Sequence, residues 1–145
     1  MMQMMRVVVR LLWPALLLAV TAACDGASGP SRAVPLGGEF DLGAGESVAV
    51  SDELLVLRFD GVSADSRCPL GGFCIRAGDA TVTLTARRLP AASATLTLNT
   101  DPGLRSETPF QDYRVRLVEL NPHPRLNEPI APSDYVVTLL VVRRP

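Results

Sequence analysis

Ala80-Thr81-Val82-Thr83-Leu84-Thr85-Ala86-Arg87 alternates without a fault: Ala80, Val82, Leu84 and Ala86 fall on one side of an extended chain, Thr81, Thr83, Thr85 and Arg87 on the other. A period of two over eight residues marks a strand with one buried face, and β-branched Thr suits the solvated side. Past the turn Pro90-Ala91-Ala92-Ser93, the segment Thr95-Leu96-Thr97-Leu98 repeats the same code. The two segments therefore pair as a hairpin with their Thr rows side by side.

The same code runs outward in both directions. Upstream, Glu39 to Leu42 is a short strand, and Ser47-Val48-Ala49-Val50 turns through Ser51-Asp52-Glu53 into Leu54 to Phe59. Downstream, residues 101 to 112 read as a long loop, and Tyr113 to Leu117 alternates with Tyr113, Val115 and Leu117 inward. Tyr113 suits a corner tyrosine, its hydroxyl bonding back to the backbone. A loop from Asn121 to Ser133 carries Pro122, Pro124, Pro129 and Pro132, each of which fixes φ and stiffens the chain. The last strand, Tyr135 to Val142, is apolar on both faces, so it is either central in the sheet and covered by a loop, or its outer face meets a partner. No apolar series at helical spacing runs far from residue 36 onward. The expectation is an all-β domain over residues 36–145: about seven antiparallel strands in a β-sandwich of immunoglobulin-like size, with a small β-barrel as the alternative.

Between the strand ending near Phe59 and the one opening at Ala80 lies Asp65-Ser66-Arg67-Cys68-Pro69-Leu70-Gly71-Gly72-Phe73-Cys74-Ile75-Arg76-Ala77-Gly78-Asp79. In an oxidising compartment Cys68 and Cys74 pair and staple this loop, which the chain-entropy account values at roughly 2.4 kcal/mol. Arg67, Phe73 and Arg76 form a candidate contact patch, since Arg and aromatic residues are enriched at interfaces. Asp60, Asp65 and Asp79 are a weaker candidate for calcium, which takes hard oxygen ligands. Cys68, Cys74 and His123 could ligate a softer metal only as reduced thiols, and redox chemistry would want Cys-x-x-Cys spacing that is absent.

Asp-Ser-Arg-Cys-Pro, a second Cys a few residues on, and Ala-Gly-x-Ala leading into an alternating strand resemble a pattern in small uncharacterised bacterial lipoproteins. The span is Asp65 to Leu84, with Leu120-Asn121-Pro122-His123-Pro124 and Asp134-Tyr135 also similar; Arg76 stands where that pattern carries Trp. The resemblance implies an envelope β domain and brings no activity with it.

The start of the chain agrees with export. Residues 1–23 carry Arg6 and Arg10, an apolar run from Leu11 to Val20, then Thr21-Ala22-Ala23 before Cys24. These are the parts of a signal peptide, and 13 residues from Leu11 to Ala23 are too few to span a bilayer, which takes about 20. The small residues ending at Cys24 resemble a lipobox, which implies a lipoprotein-type leader and lipidation of Cys24; ordinary cleavage near Ala22 or Ala23 is the alternative. Residues 24–35, small, polar and broken by Pro30 and Pro35, read as a flexible tether.

A product cut before Cys24 has no Met and no Trp, because all four Met lie in positions 1–5 and the single Trp is Trp13. Every basic residue is Arg; without Arg6 and Arg10, twelve Arg face fifteen acids, a net charge of −3. That balance argues against nucleic acid. The absence of Lys removes Ser-Lys and Schiff-base mechanisms, and His123, the one His, sits between two prolines. No phosphate loop, dinucleotide fingerprint, Gly-x-Ser-x-Gly or His-Glu-x-x-His is present. The reading that remains is a non-catalytic lipoprotein of the bacterial cell envelope, held to the membrane by its N-terminal lipid on the exported side. Its β domain is expected to be structural or to bind another envelope protein, with no cofactor. A small-ligand or calcium-binding module is the alternative, and a carboxylate-based hydrolase the third.

Overall fold

A computed structural model describes Pro30 and residues 32–145. The leader, Cys24 and the first part of the tether lie outside the described residues. Among the described residues nine strands form: β1 (Arg32–Val34), β2 (Glu39–Gly43), β3 (Ser47–Val50), β4 (Leu55–Asp65), β5 (Ala80–Arg88), β6 (Ala92–Asn99), β7 (Glu107–Phe110), β8 (Tyr113–Asn121) and β9 (Val136–Arg143). One sheet has the order β1-β3-β4-β5-β6 and the other β2-β9-β8-β7, and neither closes on itself. The fold is the expected all-β sandwich, not a barrel.

Alternation decides which faces meet. Ala80, Val82, Leu84 and Ala86 of β5 are fully buried, as are Leu57 and Phe59 of β4 and Leu98 of β6. From the other sheet Leu42, Tyr113, Val115, Val137, Leu139 and Val141 face them, and these side chains form one apolar core. Thr83 stands opposite Thr97 and Thr85 opposite Thr95, so the paired Thr rows of the predicted hairpin are in register on the outer face.

Three expectations need correction. First, residues 32–34, read as tether, form β1 and pair in parallel with β3, so the sandwich is not purely antiparallel and begins earlier than residue 36. One buried side chain, Val34, fixes this strand, and a single apolar residue before a Pro shows no period. Second, β7 lies inside what reads as a loop; Pro109 fits there because β7 is an edge strand, where a missing N–H leaves no gap in the ladder. Third, the Tyr113 hydroxyl donates to the Glu53 carboxylate of the β3–β4 turn rather than to backbone. Arg143 bonds the same carboxylate at 2.6 Å, and the Arg88 guanidinium lies 5.2 Å from the Tyr113 ring centre. Burial, and then the Glu53 carboxylate, push the Tyr113 phenol above its ordinary pKa.

β9 is central in its sheet. Its outer face of Val136, Thr138, Leu140 and Val142 is flanked in register by Asp41 and Glu39 of β2 and by Arg114 and Arg116 of β8. Charged rows on both sides, not a loop, share that face. Bulges finish the frame: β4 shifts register twice, with Gly61 at φ +143°, and runs well past Phe59 to Asp65. A bulge in β8 between Leu117 and Glu119 turns Val118 outward and Leu120 inward.

Candidate contact surface at the stapled loop

The strands deliver three loops to one end of the sandwich: residues 66–79 between β4 and β5, 100–106 between β6 and β7, and 122–135 between β8 and β9. The first continues the β4–β5 ladder. Ser66 N–H donates to the Asp79 carbonyl at 2.7 Å and Cys68 N–H to the Ala77 carbonyl at 2.7 Å. Cys68 and Cys74 are disulfide-bonded, as read from their spacing, with Cα atoms 5.9 Å apart. Gly78, at φ +74°, lets the two stems close: a Cβ there would sit 1.9 Å from the Ser66 carbonyl oxygen.

Arg67 is buried, not presented as the sequence reading placed it. Its Nε and Nη2 bond the two oxygens of Asp65 at 3.0 and 2.6 Å, a bidentate fork, while Nη1 and Nη2 reach the carbonyls of Leu120 at 2.6 Å and Pro122 at 2.9 Å. Both side chains of the pair are about nine-tenths buried. The reason is tertiary: the bulged end of β8 and the residue after it bring the Leu120 and Pro122 carbonyls over the loop base, where a five-donor guanidinium meets them. Tyr135 also donates to Asp65, at 3.1 Å. Burial acts to raise the Asp65 pKa, but the hydrogen bonds and charge of Arg67, with Tyr135, outweigh it and hold the carboxyl below its ordinary value. Burial and Asp65 together push the Tyr135 phenol up.

The proline-rich loop clasps the stapled one from the side. Leu70 N–H donates to the Pro124 carbonyl at 2.8 Å, Leu126 N–H to the Leu70 carbonyl at 3.1 Å, and His123 Nε2 lies 2.9 Å from the Cys68 carbonyl. Asp65, Arg67, Cys68, Leu120, Pro122, His123 and Tyr135, scattered over 70 positions, thus form one knot. The sequence reading missed this role of Tyr135 and of the Leu120–Pro122 carbonyls; the Asp-x-Arg spacing was its only local signal.

The calcium candidates do not converge. Asp60 lies on the outer face of the five-stranded sheet, bonded by Arg58 at 2.6 Å and the Thr85 hydroxyl at 2.8 Å. Asp65 is taken by Arg67, and Asp79 accepts from Asn99 at 2.6 Å, Thr100 at 3.1 Å and the Asp101 N–H at 2.9 Å. Those donors outweigh burial and lower the Asp79 pKa. Among the described residues no group of three His, Cys, Asp or Glu could hold a metal ion, and the disulfide removes the Cys68–Cys74–His123 set. No helix among the described residues is long and apolar enough to cross a membrane.

Of the predicted contact patch, Phe73 and Arg76 are exposed, and Phe73 is entirely outside the fold. Ile75 stands equally free, and Leu70 and Leu126 are more than half exposed beside it. The base of the loop borders an open cleft of about 360 Å³ lined by Arg67, Gly78, Asp101, Val118, Glu119 and His123 among others. Arg67 and His123 there are already engaged with the loop's own carboxylate and carbonyls. No protein-family model, curated protein or solved structure matches this chain.

Proposed function

We propose that the chain is a non-catalytic lipoprotein of the bacterial cell envelope, carried by an acyl chain on Cys24. Its sandwich has a structural, contact-making role, and the stapled-loop end is the surface it presents. One observation carries this reading: a disulfide and a nine-tenths-buried ion pair hold Phe73 and Ile75 wholly in solvent. Two large apolar side chains fixed outward on a rigid mount are the anatomy of a contact, because water penalises them until something covers them. The polar groups beneath are spent on rigidity: Arg67, Asp65, Tyr135 and His123 bond one another or backbone carbonyls. A catalytic use of Asp65 would have to break that knot.

The test is a photoreactive residue introduced at Phe73 in the membrane-extracted, full-length processed protein, compared with one at Thr97 on the outer face of β6. Phe73 is expected to give adducts in native membranes that Thr97 does not. Equal labelling at both positions removes the loop end as the contact surface.

A further inference from the structure

We infer that the chain pairs with a second copy of itself through β6, edge to edge about a twofold axis, so that two five-stranded sheets run on as one. The inference goes beyond the contact proposed at the loop end and depends neither on that contact nor on the anchor.

Two open sheets have four edge strands, β1, β6, β2 and β7, and three of them are guarded. β1 is only three residues long. On β2 the chain itself occupies outward groups: the Arg32 guanidinium bonds the Asp41 carbonyl, and the Gly43 N–H donates to the Glu46 carboxylate at 2.9 Å. β7 has four residues, and Pro109 removes an outward donor. β6 has none of these devices. Its eight residues include no charge and no Pro, and they pair with β5 in unbroken register. The Thr100 N–H bonds the Ala80 carbonyl at 3.1 Å, which turns the even-numbered residues of β6 toward β5. The N–H and C=O groups of Ser93, Thr95 and Thr97 therefore point away from the sheet, and all three residues are exposed. The next outward donor, on Asn99, is taken by the Arg105 carbonyl at 2.7 Å, so the loop after β6 closes the edge there.

The open stretch is complementary to itself, which selects the partner. With Thr95 on the axis of an antiparallel pair, Ser93 faces Thr97 of the second copy, and the outward groups form about six backbone hydrogen bonds. Hydroxyl residues then stand opposite one another on the solvated face, a favourable cross-strand pairing. On the inner face the strand is small at its start and large at its end, so Ala92 faces Leu98 and Ala94 faces Leu96 of the second copy. Both alanines are half-buried, packed against the core. Charge follows the same order. Arg87, outside any ion pair among the described residues, flanks the start of β6, while Asp79 and Asp101 outnumber Arg105 at its end. Antiparallel pairing sets the basic end of one copy beside the acidic end of the other; parallel pairing would set like beside like. So short an edge buries less than the roughly 800 Å² per partner of a standard interface, which makes the pair reversible and concentration-dependent.

Paired Thr95 residues would have Cα atoms about 5.5 Å apart, within disulfide reach. Thr95→Cys, in the full processed protein, is oxidised in parallel with Thr83→Cys, which lies one strand in from the edge. Thr95→Cys is expected to give at least about fivefold more linked dimer than Thr83→Cys, both counted above the unsubstituted protein. Ser93→Cys mixed with Thr97→Cys is expected to link as well, and neither of these alone. Equal linkage at Thr83→Cys marks random collision and overturns the inference; linkage of Thr97→Cys alone as strong as in the mixture overturns the register and the inference with it. Thr95→Lys tests the same contact without a thiol, because it sets two like charges face to face on the axis at a solvated position. By light scattering of concentrated protein, the unsubstituted chain and Thr83→Lys are expected to approach twice the chain mass while Thr95→Lys stays at one. Association of Thr95→Lys equal to the parent's, or none in the parent at any concentration, overturns the inference. A photoreactive residue at Thr97 is accordingly expected to link the chain only to its own copy, an adduct of two chain masses distinct from the adducts expected at Phe73.

Discussion

Replacing Arg67 with Met keeps most of the side-chain volume and removes the charge that ties three segments together. What is left is an Asp65 carboxylate nine-tenths buried, without its bidentate partner, and two backbone carbonyls, of Leu120 and Pro122, without their donors. Removing one member of a buried pair costs about 3–5 kcal/mol, most of it the penalty of the stranded charge. The lost carbonyl bonds fall within that figure rather than adding to it, because the groups act as one network. For a domain of this size the loss lowers Tm by about 12–20 °C. The change is also local. Amide hydrogen exchange at Cys68 and Leu70, whose N–H groups bond the Ala77 and Pro124 carbonyls, is expected to rise far more than at β5 and β6. The companion Arg67→Met, Asp65→Asn double variant removes the stranded charge and recovers part of the stability. A Tm within about 3 °C of the parent for Arg67→Met, or exchange that rises evenly over the whole domain, would refute the knot as what holds the loop.

Two glycines of one loop separate strain from collision. Gly71 has φ +83° with nothing within 4 Å of a built Cβ, so Gly71→Ala is expected to cost about 1–2 kcal/mol of backbone strain alone. Gly78→Ala, whose Cβ meets the Ser66 carbonyl, must part the two stems and cost at least about twice as much by denaturant titration; equal costs would sink the packing argument. The pH response follows from Asp65 and Asp79, both held below the ordinary carboxyl value of 3.8. Because the folded pKa is the lower one, their stabilisation is complete above that value and is lost as pH falls through the folded pKa. Stability is therefore expected to change little from about pH 7 to about pH 5 and to drop below about pH 4, and Asp65→Asn with Asp79→Asn is expected to shrink that acid drop. An acid drop of unchanged size in the double variant points to other carboxylates.

Alternation alone specified the strands that matter most to the core. The inward sets of β5, β8 and β9 are legible in the sequence because a side-chain period of two with one buried face leaves a single register. The staple was equally legible, since the spacing of Cys68 and Cys74 around Pro69, Gly71 and Gly72 is a local property. β1 and β7 were not: three or four residues, one of them holding Pro109 and the other ending next to Pro35, carry too short a pattern to read. The hinge of the candidate surface was illegible for a different reason. Arg67 looks like any exposed Arg of a polar loop until Leu120 and Pro122 arrive from more than fifty positions away, whereas Phe73, read with it as a contact residue, is exposed. Burial is decided by what the rest of the chain brings, so the sequence determined the strands and the cysteine bridge. Only the tertiary structure decided that Arg67 goes inside and that residues 32–34 join the sheet.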